Sequence, residues 1–127
     1  MSGGGLKRIH TFLRERAASP EPALEPPQIT ARALEDRASL AAQALAIFVR
    51  CYGSFAGDMA LAYLARGGVY VCGGIAAKLA ARLAEGDFIA AFNHKGRHGE
   101  LAASIPVRVV TNESLGLIGA ALAAMGE

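Results

Sequence analysis

The sequence predicts a helix-rich α/β fold with two parallel strands and several helices. Of the 127 residues, 53% are hydrophobic and only 6% are aromatic, so the core must consist largely of small apolar side chains, which favour closely packed helices. Two β-rich runs, VYVC at 69–72 and VRVVT at 107–111, flank a mostly helical stretch. A connection of about thirty residues is long enough for a crossover that places both strands parallel in one sheet.

The N-terminal region predicts one helix and then an irregular connection. Ser2–Gly5 (SGGG) is interpreted as a flexible or phosphate-approaching loop before a helix over Leu6–Arg16. Four prolines at 19–27 predict a linker or an irregular crossing. Thr30 is the expected N-cap of the next helix.

The strongest periodicity lies in the middle of the chain. Apolar side chains recur at spacings of four and three, as on one stripe of a long helix with room for a break at 36–39. Gly53 and Gly57 lie four apart on this helix and would permit a close backbone approach or a bend. The glycine pair Gly67–Gly68 is the expected end of the helix. The stripe comprises Leu34, Ala38, Ala41, Leu45, Phe48, Tyr52, Phe55 and Met59.

The C-terminal half predicts a sheet strand, a glycine turn and further helices. VYVC is followed by Gly73–Gly74 and by a helix that Gly86 stops. Residues 87–104 are expected to be helical in short pieces, and Thr111 or Asn112 to cap a last helix over Leu115–Met125. Two glycines in that helix, Gly116 and Gly119, would allow tight packing.

Two strands alone make a poor sheet, because both edges stay open and too little apolar surface is buried. We therefore expect residues 1–127 to form a single partial domain, with the proline-rich connection at 19–27, that belongs to a larger domain or to an obligate homo-oligomer.

Charge and composition disfavour several function classes. A net charge of +2, with acidic residues close behind the N-terminal basic cluster, gives no one-sided basic face for nucleic acid. The longest apolar run, Leu40–Val49, is too short to span a membrane. Cys51 and Cys72 lie in apolar runs and are expected to behave as small hydrophobic side chains in a reducing, cytoplasmic compartment.

The strand–Gly–Gly–helix pattern at 69–83 is the most informative motif. Gly73 and Gly74 would let a flat ligand approach the backbone, and nucleotides commonly bind at the carboxyl end of such a strand. The alternative is a tight strand-to-helix turn without a ligand, which the spacing alone favours. SGGGLKR at 2–8 lacks the spacing of a Walker loop.

No catalytic constellation or metal site stands out. His94 and His98 are four apart, but Gly96 lies between them and no third ligand is near, so exposed surface histidines are expected. Asp58 could act as a general base, although a carboxylate that is exposed or paired with a neighbouring arginine is the simpler expectation. Cys51 has no obvious basic partner that would generate a thiolate.

The order of motifs resembles the bacterial-type glucokinase family of the actin, sugar-kinase and heat-shock ATPase fold. GGVYVCGGIAAKLAARL at 67–83 resembles the family's nucleotide-side element, and residues 44–66 resemble the long helix before it. SGGGL at 2–6 is similar to the family's SGxGL loop, and the closing motifs follow in order: KGR at 95–97, SIPVRVVT at 104–111 and GLIGAALAA at 116–124. The likeness covers essentially the whole chain.

This resemblance implies the C-terminal portion of an actin-like ATPase (ribonuclease H-like) lobe. Its implied nucleotide-binding residues are Gly73, Gly74 and Ile75 at the adenosine and Ser2, Gly3 and Gly5 near ribose or phosphate. The implied ligand is ATP with Mg²⁺, and glucose would bind only with a part that precedes these residues in the family. That part would also hold the catalytic Asp, so residues 1–127 alone are expected to be inactive.

One departure concerns the adenosine side. Where the family often has a proline and a basic residue after Gly–Gly–Ile, this chain has Ala77 and Lys78. Rival interpretations are a non-catalytic module that oligomerises to complete its sheet and a small nucleotide-binding regulator; a nucleic-acid-binding protein is the least supported.

Overall fold

The computed structural model describes residues 2–126. Eight α-helices, one 3-10 helix and two short strands follow one another in these residues. In chain order they are α1 (Gly3–Arg16), α2 (Pro26–Glu35), α3 (Leu40–Ala62), β1 (Val69–Val71), α4 (Gly74–Lys78), α5 (Ala80–Leu83), α6 (Asp87–Asn93), the 3-10 helix (Gly96–His98), α7 (Gly99–Ala103), β2 (Val107–Val109) and α8 (Leu115–Met125).

Helix α3 is the centre of the core. It packs most extensively against α6 and also against α1, α2 and α7. Its buried face includes the large side chains of Leu45, Phe48 and Val49, whereas the C-terminal half is buried through small residues such as Ala56 and Ala60. The expected break at 36–39 is confirmed, because α2 ends at Glu35 and Ser39 caps α3 through a hydrogen bond that its hydroxyl accepts from the Ala42 amide.

The predicted stripe is wrong at its ends. Leu34, Phe55 and Met59 are 56%, 52% and 38% exposed. A spacing of four residues drifts around a helix by about 40° per step, since 3.6 residues make a turn. The apolar row therefore leaves the core at Phe55 and Met59 as it proceeds along α3, and alanines and glycines take its place, whereas Leu34 lies on the separate helix α2.

Gly53 and Gly57 confirm the predicted close approach. A Cβ built on Gly53 would lie 2.2 Å from the carbonyl oxygen of Phe88, and one on Gly57 would lie 2.4 Å from that of Phe92. No real Cβ makes such contacts, so the backbone of α6 lies directly on these two glycines.

The ends of α1 and α3 differ from the expectation. Helix α1 begins at Gly3, so three of the residues assigned to a loop are helical. Helix α3 ends at Ala62 and not at Gly67–Gly68. Its last turn closes with Leu64 in the left-handed region (φ 47°) and with the Ala65 amide donating to the Ala60 carbonyl, a Schellman motif built without glycine.

The cap of α2 also differs from the expectation. Thr30 lies inside the helix, where its hydroxyl donates to the Pro26 carbonyl. Glu25 is the N-cap and forms a capping box with Gln28, and Pro26 and Pro27 occupy the first helical positions, where a missing N–H costs nothing. Two of the four prolines assigned to the linker therefore start a helix.

The two strands pair in parallel, as predicted. Val69, Tyr70 and Val71 are in register with Val107, Arg108 and Val109. The sheet has these two strands in the described residues, and Tyr70 is 60% exposed on one face. In β1, Val71 is buried and Tyr70 is exposed, so this strand is covered on one face only.

Every residue of helix α8 is exposed in the described structure. It has no buried residue, and nothing lies within 4 Å of a Cβ placed on Gly116 or Gly119. The predicted tight packing is therefore not made within residues 2–126. Its N-cap is Ser114 and not Thr111 or Asn112, although the Asn112 side chain accepts a hydrogen bond from the Ser114 amide.

Residues 87–104 are helical in short pieces, as predicted. The single helix predicted between Gly74 and Gly86 is instead interrupted at Leu79, which ends α4 and precedes α5. Gly86 separates α5 from α6 in the left-handed conformation (φ 107°). Cys51 and Cys72 are both free and exposed, so the expectation that they fill apolar space is wrong.

The length and composition of α3 would suffice for a membrane span. It has 23 residues, and an 18-residue window within it has a mean hydropathy of 1.3. Of that window, 44% is buried inside the protein. Since α1, α2, α6 and α7 cover its apolar side, its packing is that of a core helix.

His10 on α1 is fully buried, and neither of its ring nitrogens has a hydrogen-bond partner. Burial lowers the pKa of His10 below its ordinary value of 6.5; nearby Glu21 opposes this shift and Arg14 adds to it. Because the unfolded chain then binds more protons than the native one as pH falls through 6.5, the free energy of unfolding decreases on acidification. In urea titrations we expect the loss to begin as pH falls through about 6.5 and to continue at lower pH until the buried imidazole is itself protonated.

The matched variants are His10→Leu and His98→Leu. The first removes the buried imidazole and is expected to flatten the pH dependence, whereas the second changes an exposed histidine and should leave the slope intact. If the free energy of unfolding of His10→Leu still depended on pH in the same way, groups other than His10 would be responsible for the dependence.

Candidate nucleotide-binding groove

A groove of about 680 Å³ opens between the start of α1, helix α2 and helix α4. This volume lies within the range of small-molecule sites, and most of the walls are apolar, as they are in such sites. The lining residues are Gly3, Leu6, Pro26, Pro27, Thr30, Ala31, Leu34, Phe48, Gly74, Ile75, Lys78 and Leu79.

The glycine turn after β1 forms one edge of the groove. Gly73 has φ 101° and ψ 164°, a conformation that side chains rarely adopt, and it precedes α4 as its N-cap. A Cβ on Gly73 or Gly74 would meet nothing within 4 Å, so the turn faces open space. The backbone at this edge is therefore accessible to a flat ligand, whereas α4 is only one turn long and adds little helix dipole.

The start of α1 forms the opposite edge. Ser2 is the extended N-cap, and its hydroxyl makes no capping hydrogen bond. A Cβ on Gly3 would lie 3.3 Å from the ring of Pro26, so the first turn of α1 sits close against the first turn of α2. An exposed ion pair between Lys7 and Glu25 joins the same two helices. The N–H groups of the first turn of a 14-residue helix point outward and attract anions.

The structure brings together three of the six predicted nucleotide-binding residues. Gly3, Gly74 and Ile75 line the one groove, although the first two lie far apart in the sequence. Gly73 is adjacent to its edge, while Ser2 and Gly5 are not among the lining residues. Gly5 lies on α1, and a Cβ placed on it would meet nothing within 4 Å.

Sequence reasoning missed the wall that α2 supplies. The periodicity assigns Leu34 to the core stripe, and the proline count assigns Pro26 and Pro27 to a linker. Two prolines inside a capping box that runs from Glu25 to Gln28 signal a helix start, and that signal could have identified α2, although not the surface against which it packs.

Lys78 is the one charged side chain that lines the groove in the described part of the chain. It is exposed and follows Ile75 by one turn of α4, and it forms no ion pair with any other described residue. A single ammonium at the rim of an apolar groove suits a ligand with an apolar ring and an anionic end.

An ion-pair network fixes the segment behind α4. Arg37 donates two hydrogen bonds to Glu85, at 3.0 and 2.9 Å, and Arg82 contacts both Glu85 and Asp87. The hydrogen bond from Arg37 and its charge, together with that of Arg82, lower the pKa of the Glu85 carboxyl. This network joins the turn after α5 to the connection between α2 and α3.

The remaining candidate residues lie away from the groove. His94 and His98 are exposed, as expected. Asp58 pairs with Lys95 at 2.7 Å and not with an arginine. Within residues 2–126 no three His, Cys, Asp or Glu side chains come together as metal ligands.

The fold has the layout of a lobe of the actin-like ATPase class: parallel strands, a long core helix and a groove at the strand–Gly–Gly–helix turn. A solved glucokinase from an Antarctic psychrotroph superposes with a TM-score of 0.85 and 32% sequence identity, over 99% of this chain and 39% of that one.

The glucokinase family model matches residues 1–127, and the chain belongs to the glucokinase family. The glucokinase of Mesorhizobium japonicum is 40% identical over 95% of this chain and 36% of its own length. That of Aromatoleum aromaticum is 43% identical over 97% of this chain and 37% of its own length. The chain therefore spans little more than a third of these relatives and corresponds to their C-terminal part.

Proposed function

We propose that residues 1–127 form the ATP-binding side of a glucokinase that phosphorylates glucose to glucose 6-phosphate. The observation that carries this proposal is the groove that joins Gly3 on α1 to Gly74 and Ile75 on α4. Adenosine would lie between the apolar walls, with Gly73 and Gly74 at the base and Ile75 packed beside it. The phosphates would extend toward Ser2, Gly3 and Gly5.

The residues of the groove fit ATP in charge and in shape. The apolar walls suit the purine, and Lys78 and the outward N–H groups at the start of α1 suit the phosphates. ATP supplies the phosphoryl group that a sugar hydroxyl receives. No carboxylate lines the groove within residues 2–126, so Mg²⁺ would arrive on the nucleotide and not on a protein site of this chain.

Residues outside 1–127 would supply glucose binding and the general base. Phosphoryl transfer needs both substrates in position and stabilisation of the charge on the transferred group. The groove would bind only one of these substrates, ATP. We therefore expect no glucose phosphorylation by this chain alone in a coupled assay. The two free thiols, Cys51 and Cys72, support a reducing, cytoplasmic setting.

The test is titration of the chain with a fluorescent ATP analogue, followed by competition with unlabelled ATP. We expect saturable binding that Ile75→Asp weakens at least about tenfold, because a carboxylate at this wall repels phosphate and removes apolar contact. Lys78→Met should weaken ATP more than adenosine, since the ammonium faces the anionic end of the ligand.

The matched control is Ile89→Asp, which places the same substitution at a 42% exposed isoleucine on α6, outside the groove. It should bind ATP as the unchanged chain does. Equal weakening by both variants, or no ATP binding by a folded chain, contradicts the proposal. A different result would favour the alternative of a small nucleotide-binding regulator. In that case the chain would bind ATP tightly by itself, and adding the N-terminal part of a relative would never produce phosphorylation.

A further inference from the structure

The face of α2 that lines the groove is apolar except at one position. Pro27, Ala31 and Leu34 lie on this face at helical spacing, and Thr30 lies between them. Leu34 is 56% exposed, so this face is open to a ligand. Of the described residues that line the groove, only Thr30 and Lys78 have polar side chains. The α2 wall therefore has a single hydroxyl group in the middle of an apolar surface.

The hydroxyl group of Thr30 already uses its one hydrogen. It donates a hydrogen bond to the carbonyl oxygen of Pro26, one turn earlier, at a distance of 3.1 Å. Because a hydroxyl group has one hydrogen and two lone pairs, Oγ1 can still accept hydrogen bonds but has no hydrogen left to donate. Thr30 is half-buried, so a ligand that covers it must bring a donor or leave the lone pairs unpaired. The α2 wall thus favours a ligand with a donor at the edge of an apolar ring.

The position of Thr30 along the groove suits the base of a nucleotide and not its phosphates. The first turn of α1, where the phosphates are expected, adjoins the ring of Pro26. Thr30 lies four residues further along α2, which is about 6 Å at a rise of about 1.5 Å per residue. Beyond Thr30, the exposed side chain of Leu34 offers apolar surface that a flat ring would cover.

We propose that the hydroxyl group of Thr30 recognises the adenine base of ATP by accepting a hydrogen bond from its 6-amino group. This inference rests on the ATP site described above and specifies how that site selects its base. Adenine has a donor at position 6, whereas guanine has a carbonyl oxygen there. That oxygen would face the lone pairs of Oγ1 unless the hydroxyl group gave up its hydrogen bond to Pro26. Thr30 is therefore a specificity-determining residue that favours ATP over GTP.

Lys78 is the alternative side chain that could recognise the base, and it would select the opposite one. An ammonium group only donates hydrogen bonds, so at position 6 of a purine it would favour the carbonyl oxygen of guanine. Lys78 is exposed, and an ammonium group is a strongly hydrated point charge, which suits a solvated phosphate better than the edge of a base. The half-buried hydroxyl group of Thr30 suits the edge of the base.

The test compares the affinities of the chain for ATP, GTP and purine riboside triphosphate, which lacks the 6-amino group. We expect ATP to bind about tenfold more tightly than either of the others, the contribution of one hydrogen bond whose loss leaves a partner unpaired. Thr30→Val keeps the shape of the side chain but removes the lone pairs, so it should bind ATP and purine riboside triphosphate alike. Thr30→Ser keeps the hydroxyl group and should restore the difference.

The matched control is Thr11→Val, which makes the same change at a half-buried threonine of α1 outside the groove and should keep the preference for ATP. Circular dichroism establishes that each variant is folded. Equal binding of ATP and purine riboside triphosphate by the unchanged chain overturns the role of Thr30 but leaves the ATP site in place. So does an undiminished difference in Thr30→Val, and a preference for GTP would assign the base to Lys78. A folded chain that binds none of the three nucleotides overturns both proposals.

Discussion

Replacing Gly53 by alanine is expected to lower the free energy of unfolding by about 3 kcal/mol, at the upper end of what overpacking costs. The added methyl group would lie 2.2 Å from the Phe88 carbonyl oxygen and 2.9 Å from its carbon. Both are backbone atoms, so no side-chain rotation relieves the contact and α6 must move away from α3. Urea-induced unfolding followed by circular dichroism measures the loss.

The matched control is Gly116→Ala on α8. Both changes put alanine for glycine inside a helix, which by propensity alone stabilises it by about 1 kcal/mol. Nothing lies within 4 Å of the new methyl group at residue 116 in the described structure. A lower free energy of unfolding in Gly53→Ala and a higher one in Gly116→Ala would support the close contact between α3 and α6. A stabilising Gly53→Ala would contradict it.

Replacing Lys95 by methionine is expected to lower the free energy of unfolding by about 2 kcal/mol, the range of hydrogen bonds to charged groups. The Lys95 side chain is 8% exposed and lies over Gly57. Its ammonium donates to the carbonyl and hydroxyl oxygens of Ser54, at 2.8 and 3.2 Å, and pairs with Asp58. Methionine keeps the apolar stem, so the change isolates the ammonium.

Lys7→Met provides the comparison. Lys7 also pairs with a carboxylate, that of Glu25, but the two side chains are 42% and 63% exposed. Solvent screening and the loss of side-chain entropy reduce the contribution of such a pair to stability to about 0.5 kcal/mol. The difference between the two losses of unfolding free energy thus measures what burial adds to the interactions of Lys95. An equal loss in both variants would show that burial adds nothing.

The elements of this fold were accessible from sequence wherever local chemistry decided them. The parallel strand pair followed from two β-rich runs and the length between them. The close approach at Gly53 and Gly57 followed from their spacing on a strongly periodic helix. Helix ends were less predictable, because Leu64 adopts the left-handed conformation that local rules reserve for glycine, at about 1–2 kcal/mol, and the last turn still closes there.

The groove was predicted only at Gly3, Gly74 and Ile75. Gly74 follows from the strand–Gly–Gly–helix pattern, and the family resemblance added Gly3 and Ile75. The α2 wall could not be predicted, because Leu34 has the same periodicity whether it faces the core or the groove. His10 was missed altogether, since a histidine on a polar helix gives no sign that both ring nitrogens will be buried without partners.

By itself, the sequence determined the fold class, the parallel strands, the long core helix and the glycine turn, because periodicity, turn chemistry and loop length act over a few neighbouring residues. The tertiary structure alone decided which face of each helix is covered. It placed Phe55 and Met59 outside the core, left α8 exposed along its length in the described chain and brought Gly3 and Gly74 into one groove. These outcomes depend on where other helices cross, and no local pattern contains that geometry.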